Sequence, residues 1–149
     1  MRVALLDVNV LVALFDPASP SHETAHEWFA RDGWRGWATS TITLNGCVRV
    51  LSNPAYPSAG ARPDEIVAML QEACTSPGHQ FWNDSVNLLD ASLIRAELIG
   101  GHKNITDVSL LALALRNNGQ LATFERSISL RAVVGAQPYH LQVLGGAPR

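Results

Sequence analysis

Lysine is nearly absent from this chain: Lys103 is the only one in 149 residues, and charged residues of all kinds make up just 16%. With a net charge of −2 the protein has no global attraction to nucleic acid, so any such contact must come from a local basic patch. Cysteine is also scarce. Cys47 and Cys74 each lie inside a helix-like pattern without a C-x-x-C partner, which excludes a disulfide framework and reads as buried, reduced thiols. No apolar run reaches the ~18 residues of a membrane span. The run after Met1-Arg2 is cut by Asp7 and has no small-residue cleavage pattern behind it, so a soluble cytoplasmic chain without a secretory leader is expected. No G-x-G-x-x-G follows the first apolar run, which excludes a dinucleotide-binding oxidoreductase. A phosphoacceptor signalling domain fits poorly as well, since it would want adjacent acids after the first strand and a late lysine. There is no internal repeat and no low-complexity segment. What remains is 47% hydrophobic and long enough to bury ~68–70% of its unfolded surface as one domain over residues 1–149.

The first informative stretch is Val3-Ala4-Leu5-Leu6-Asp7. Four apolar residues are too few for a helix and suit a buried parallel strand, while the helix-like run after Asn9 supplies a crossover. Asp16-Pro17 breaks that helix, and Ser21 reads as the N-cap of a helix over 22–30. His22 and His26 stand four apart on it without a third ligand nearby, which favours a surface role over a metal site. Trp37-Ala38-Thr39 reads as a short strand. Residues 42–51 carry apolar side chains at 44, 47, 48 and 51, a helical spacing that Ser52-Asn53-Pro54 ends. A loop over 55–63 leads to a helix from Pro63 to about Cys74, and His79 to Trp82 is the third strand. The segment 88–98 is expected to be helical and closed by Gly100-Gly101. Thr106 is expected to cap a helix that is apolar nearly all round and ends at Gly119, followed by a strand from Gln120. Alternating strand and helix signals predict an α/β fold with a parallel sheet covered on both faces. Trp28, Phe29, Trp34 and Trp37 read either as core or as an interface for a partner helix.

Three acids stand out. Asp7 and Glu125 follow short apolar strands, and Asp107 opens the helix between the later two. Taken singly, each has an ordinary structural role as a cap or a dipole-stabilising charge. If the strands are parallel neighbours, the three converge on one sheet edge, where open α/β sheets bind ligands. Clustered carboxylates repel one another, and a divalent cation is the usual remedy. Oxygen-only ligands favour Mg²⁺ or Mn²⁺ over zinc, and metal-assisted phosphodiester hydrolysis is the chemistry best suited to such a site.

Four blocks in order carry a family resemblance: Leu5-Leu6-Asp7-Val8-Asn9-Val10-Leu11, Asn45 through Pro54, Gly101-His102 through Thr106-Asp107 to Leu115, and Leu121-Ala122-Thr123-Phe124-Glu125-Arg126. Together they resemble a PIN domain, and within it the VapC-type toxins of bacterial toxin–antitoxin pairs. The resemblance implies a three-layer α/β/α sandwich with a central, mostly parallel sheet. It implies an endoribonuclease using Mg²⁺ or Mn²⁺, a homodimer, and inhibition by a VapB-type antitoxin whose tail enters the acidic groove. Asp7, Asp107 and Glu125 match the family's metal-binding acids, with Glu125 standing where the family usually has an aspartate and therefore expected to make a more water-mediated contact. Asn9, Asn45, Thr106 and Thr123 match pocket-supporting positions.

The departure from the pattern is Leu44, where the subgroup commonly carries a glutamate. Its loss removes one formal charge and one ligand, and keeps open a second reading: a PIN-like module that binds RNA or antitoxin without cutting. RNA contact is expected from Lys103, Arg126 and Arg131, which flank the acid-bearing segments, with Arg35 and Arg62 in loops; for each alone, solvation is the ordinary role.

Overall fold

The computed structural model describes residues 2–57 and 61–145. Met1 and part of the loop expected over 55–63 lie outside the described residues.

Strand β1 (Ala4–Leu6) leads directly into helix α1 (Val8–Phe15), and Asp7 between them is the N-cap of that helix. Asp16 and Pro17 end it. Helix α2 (His22–Arg31) turns back over α1, and its two histidines satisfy the end of α1: His22 Nδ1 donates to the Ala13 carbonyl at 2.7 Å and His26 Nε2 to that of Leu14 at 3.0 Å. Their surface role is thus to cap carbonyls that a helix end leaves free. Ser21 occupies the N-cap position of α2 without a side-chain bond.

Strand β2 (Trp37–Ser40) runs without a loop into helix α3 (Thr41–Ser52), because Ser40 and Thr43 form a reciprocal capping box. Asn53-Pro54 stops α3 as the sequence requires. Helix α4 (Pro63–Ala73) starts with Pro at N1 and Asp64 and Glu65 in its first turn. Strand β3 (His79–Trp82), helix α5 (Ile105–Arg116), strand β4 (Gln120–Thr123) and strand β5 (Leu141–Val143) complete the elements that build the sheet and its covering.

The sheet order is β3-β2-β1-β4-β5, and every pairing is parallel. From β1 the chain moves outward through β2 to β3 and then crosses to the other side for β4 and β5. The order reverses between β1 and β4, and the crevice at the carboxyl ends of these two strands is the switch point where such sheets bind ligands. Alternation along the strands divides the core into two layers. Leu5, Ala38 and Leu121 pack with Val108 to Ala114 of α5 on one face. Ala4, Leu6, Trp37 and Ala122 pack with α1, α2, α3 and α4 on the other. This is the expected α/β/α sandwich.

Three expectations are corrected. Residues 88–98 do not form an α-helix; they are turns ending in a single 3₁₀ turn over Ala96–Leu98. Asn87 Oδ1 takes the Leu89 amide and Asp90 Oδ1 takes both the amide and hydroxyl of Ser92, local bonds that compete with a helical ladder. Ile94 instead bridges to Val133 across the α5 face. Thr106 is not the N-cap of α5. A 3₁₀ turn over His102–Asn104 feeds the helix, which starts at Ile105, so Thr106 lies exposed in the first turn. Past α5 the left-handed residue is Asn118, with φ of 55°, while Gly119 is needed for space: a Cβ there would meet the Val3 carbonyl oxygen at 2.5 Å. Strand β5 carries no sequence signal that announced it.

Trp28 and Trp37 are core, Phe29 packs edge-on against Trp37, and Trp34 is exposed. Cys47 is buried, Cys74 is half-buried, and both are free thiols; burial pushes the Cys47 thiol up to about 12. No described helix is long and apolar enough to cross a membrane.

Helices α1 and α3 approach so closely that a Cβ on Gly46 would stand 2.5 Å from Val8 Cγ2. Val8 follows Asp7 directly and is stiff at χ1, so it cannot easily move aside. Gly46→Ala is therefore expected to destabilise the protein by ~1–3 kcal/mol through overpacking, against the ~0.5–1 kcal/mol that helix propensity alone would gain. Urea denaturation measures the difference.

Candidate active site

The site is assembled at the switch point. Asp7 is only 5% exposed although it carries a carboxylate. Its Oδ1 accepts the Val8 amide at 2.7 Å, and its Oδ2 accepts the hydroxyl of Thr123, fully buried at the end of β4, also at 2.7 Å. The Thr123 oxygen in turn accepts the Glu125 amide at 3.0 Å, so one hydroxyl joins the turn after β4 to the cap of α1. Asn9 reinforces this junction from the first turn of α1. Its amide nitrogen stands 3.4 Å from Thr123 Oγ1, and its Oδ1 accepts the Phe124 amide at 3.3 Å.

Asp107 enters from the first turn of α5 and is half-buried. Glu125 is turned toward Ser127, whose hydroxyl and amide both donate to its Oε1, at 2.8 and 3.0 Å. The three acids border one cavity of about 540 Å³, together with Lys103, Asn9, Thr106 and Phe124. Val12 and Val50 give it an apolar wall, and Ser19 and Ser21 close it from the α1–α2 loop.

The three acids respond unequally to their surroundings. Burial pushes the Asp7 carboxyl above its ordinary range, outweighing the Thr123 and Val8 hydrogen bonds that pull it down, and the Glu125 charge adds to the rise. Asp107 is pushed up to about 6, first by burial and then by the charges of Asp7 and Glu125. Glu125 goes the other way: the Ser127 hydroxyl and amide hold it below the usual range, with help from the Arg126 amide and the Lys103 charge.

Among the described residues, no group of three or more His, Cys, Asp or Glu side chains stands close enough to hold a metal ion unaided. The donor set still fits a hard cation. Every polar wall group except Lys103 offers oxygen, and two carboxylates, both raised by burial and by the charge of a neighbouring acid, gain from a positive charge between them. A cation that keeps several of its waters needs only one or two direct carboxylates.

Other expected positions fall elsewhere. Asn45 is exposed on α3 and does not line the cavity, and Leu44 packs half-buried against the apolar cluster of α1 to α4. Arg126 donates to the Gly145 carbonyl at 3.1 Å, and Arg131 is exposed; neither lines the cavity. Arg35 lies over the Trp34 ring, and Arg62 pairs with Asp64 at 2.7 Å. Sequence reasoning missed Ser19, Ser21 and Ser127. A serine in a polar loop carries no pattern, although Ser127 two residues after an acid is a recurrent local hydrogen-bonding arrangement.

The PIN domain family model matches residues 4–133, which spans every block around this cavity. The chain belongs to the PIN domain family. Among curated PIN-family relatives, it is 43% identical over 141 residues to Ribonuclease VapC44 of Mycobacterium tuberculosis, covering 95% of this chain and 99% of that protein. It is 39% identical over 132 residues to Ribonuclease VapC39 of the same organism, covering 89% and 95%. These place it with the VapC-type members. Its fold is also that of the crystal structure of Mycobacterium tuberculosis VapC20, described as a Sarcin-Ricin loop cleaving toxin, with a TM-score of 0.57 at 14% identity over 83% of this chain and 89% of that one.

Two outcomes follow from the geometry. Thr123→Val keeps the shape of the side chain but leaves Asp7 Oδ2 and the Glu125 amide without their partner, and is expected to cost ~1–3 kcal/mol in a denaturant titration. The raised Asp107 carboxyl gives a pH signature in the metal-free protein. Between the unperturbed value near 3.8 and its folded value of about 6 the native state binds more protons than the unfolded chain, so this group's contribution to stability falls as pH rises through that window. Asp107→Asn is thus expected to raise the melting temperature at pH 7.5, with the gain closing below about pH 4 as the wild-type acid is protonated in both states.

Proposed function

We propose that this chain, as one PIN domain over its whole length, is the endoribonuclease toxin of a VapBC-type toxin–antitoxin module, acting in the cytoplasm. The observation that carries the reading is the convergence of Asp7, Asp107 and Glu125 on one cavity at the switch point of a VapC-type PIN fold. Asp7 and Asp107 would hold a divalent cation, Mg²⁺ or Mn²⁺, directly or through water, and Glu125 would contact it more through water. Such a cation, when bound, polarises a phosphoryl oxygen and lowers the pKa of water.

The chain's own residues do the rest. Thr123 and the Val8 amide fix both oxygens of Asp7, so the carboxylate is oriented before anything binds. Lys103 supplies the positive charge at the cavity and offsets a substrate phosphate. Arg126 and Arg131 extend the RNA contact beyond it, and Val12, Val50 and Phe124 offer apolar surface to sugar and base. An acidic cavity of this kind also suits the basic tail of a VapB-type antitoxin, which would block it by charge pairing. The working unit is a homodimer.

Leu44 supports a second reading. It packs as an apolar residue and puts no carboxylate near the cavity, which favours a member that binds RNA or antitoxin and cuts weakly or not at all. Cleavage of a mixed RNA pool by the purified, partner-free chain separates the two. The expected result is cutting with Mn²⁺ or Mg²⁺ that EDTA stops and that Asp7→Asn lowers by more than the ~10–100-fold typical of residues one step removed from a metal. No cutting by the chain, with cutting gained in Leu44→Glu, would establish the binding-only reading instead.

A further inference from the structure

Glu125 is the longest of the three acids at the cavity, with one more torsion than Asp7 or Asp107 through which to wander. In this chain it does not wander. Its Oε1 accepts two hydrogen bonds from Ser127, and Ser127 Oγ is itself held by Asn104, whose side-chain amide stands 3.2 Å away and belongs to the turn that opens α5. The backbone of Glu125 is fixed separately, through its amide on Thr123 Oγ1. The side chain is thereby curled back onto its own turn, with Oε1 held by Ser127, while the residue still borders the cavity.

From this we infer that Ser127 is a positioning residue for the cation site, a clamp that holds the Glu125 carboxylate in a fixed orientation at the cavity. Asn104 extends the clamp. It ties the turn carrying Glu125 to the segment carrying Lys103 and Asp107, so the two sides of the cavity are joined through Asn104, Ser127 and Glu125. The inference rests on the proposed metal site. Ordering a glutamate on binding costs side-chain entropy, and a side chain held in place beforehand loses less of it.

The test is Mn²⁺ titration of the full chain, free of partner, with free Mn²⁺ read by electron paramagnetic resonance. Ser127→Ala is expected to weaken Mn²⁺ binding ~2- to 10-fold, the worth of one hydrogen bond, and Ser127→Thr to restore it. The same Ser127→Ala change made on top of Glu125→Ala is expected to have no further effect. Equal affinity in Ser127→Ala and the unsubstituted chain, or an undiminished loss when Glu125 is already alanine, overturns the clamp. A second measurement does not depend on metal: exchange of the Ser127 amide proton in the metal-free chain is expected to be at least ~3-fold slower than in Glu125→Ala, because that amide donates to Glu125. Equal exchange rates overturn the clamp on their own. Should the unsubstituted chain bind no Mn²⁺, the metal reading falls, and the exchange rates alone decide whether Ser127 holds Glu125.

Discussion

The hydrogen bond from Thr123 to Asp7 is the constraint on which the site depends. It joins the ends of two neighbouring parallel strands that are far apart in sequence, with the Thr123 side chain fully buried and Asp7 almost so. A buried carboxylate without partners would cost several kcal/mol. Here both oxygens are occupied, one by the cap of α1 and one by β4, so the charge is held where the sheet order reverses. The same oxygen of Thr123 fixes the turn that carries Glu125. Strand pairing, helix capping and the placement of two acids are therefore one arrangement rather than three.

That arrangement stores electrostatic tension. Asp7 and Asp107 are both raised by burial, and each stands within reach of another acid. Glu125 escapes because Ser127 stabilises its ionised form at the rim. The cavity thus combines two carboxylates raised by burial with a third held ionised by its own turn, and one lysine that favours an approaching phosphate. This uneven distribution of roles among three acids is a property of the burial and hydrogen bonds around them and not of their residue types.

The α1–α3 contact contributes in a quieter way. Gly46 lets α3 lie against Val8, the residue that donates to Asp7. Leu44, two positions earlier, then packs into the apolar layer beneath these helices. A leucine suits this packing, since a half-buried position against α1 to α4 accepts an apolar side chain at no cost.

Local patterns were sufficient for much of this protein. The short apolar runs before Asp7 and at Gln120, the Pro and Asn-Pro helix stops, and the apolar run of α5 are decided by periodicity and backbone sterics, which act within a few residues and can be read along the chain. The three acids were legible for the same reason, as charges at strand and helix ends, and the shared blocks pointed to the family. Tertiary structure decided the remainder. Residues 88–98 have helical spacing but are held in turns by Asn87 and Asp90 and by the Ile94 bridge to Val133; β5 exists only because β4 offers it an edge to pair with. Which acid is raised and which is lowered, that Asn45 lies off the cavity, and that Ser19, Ser21 and Ser127 border or brace it, depend on burial and on hydrogen bonds between distant segments. Such interactions leave no periodic trace in a sequence, because they are set by where the chain returns in space.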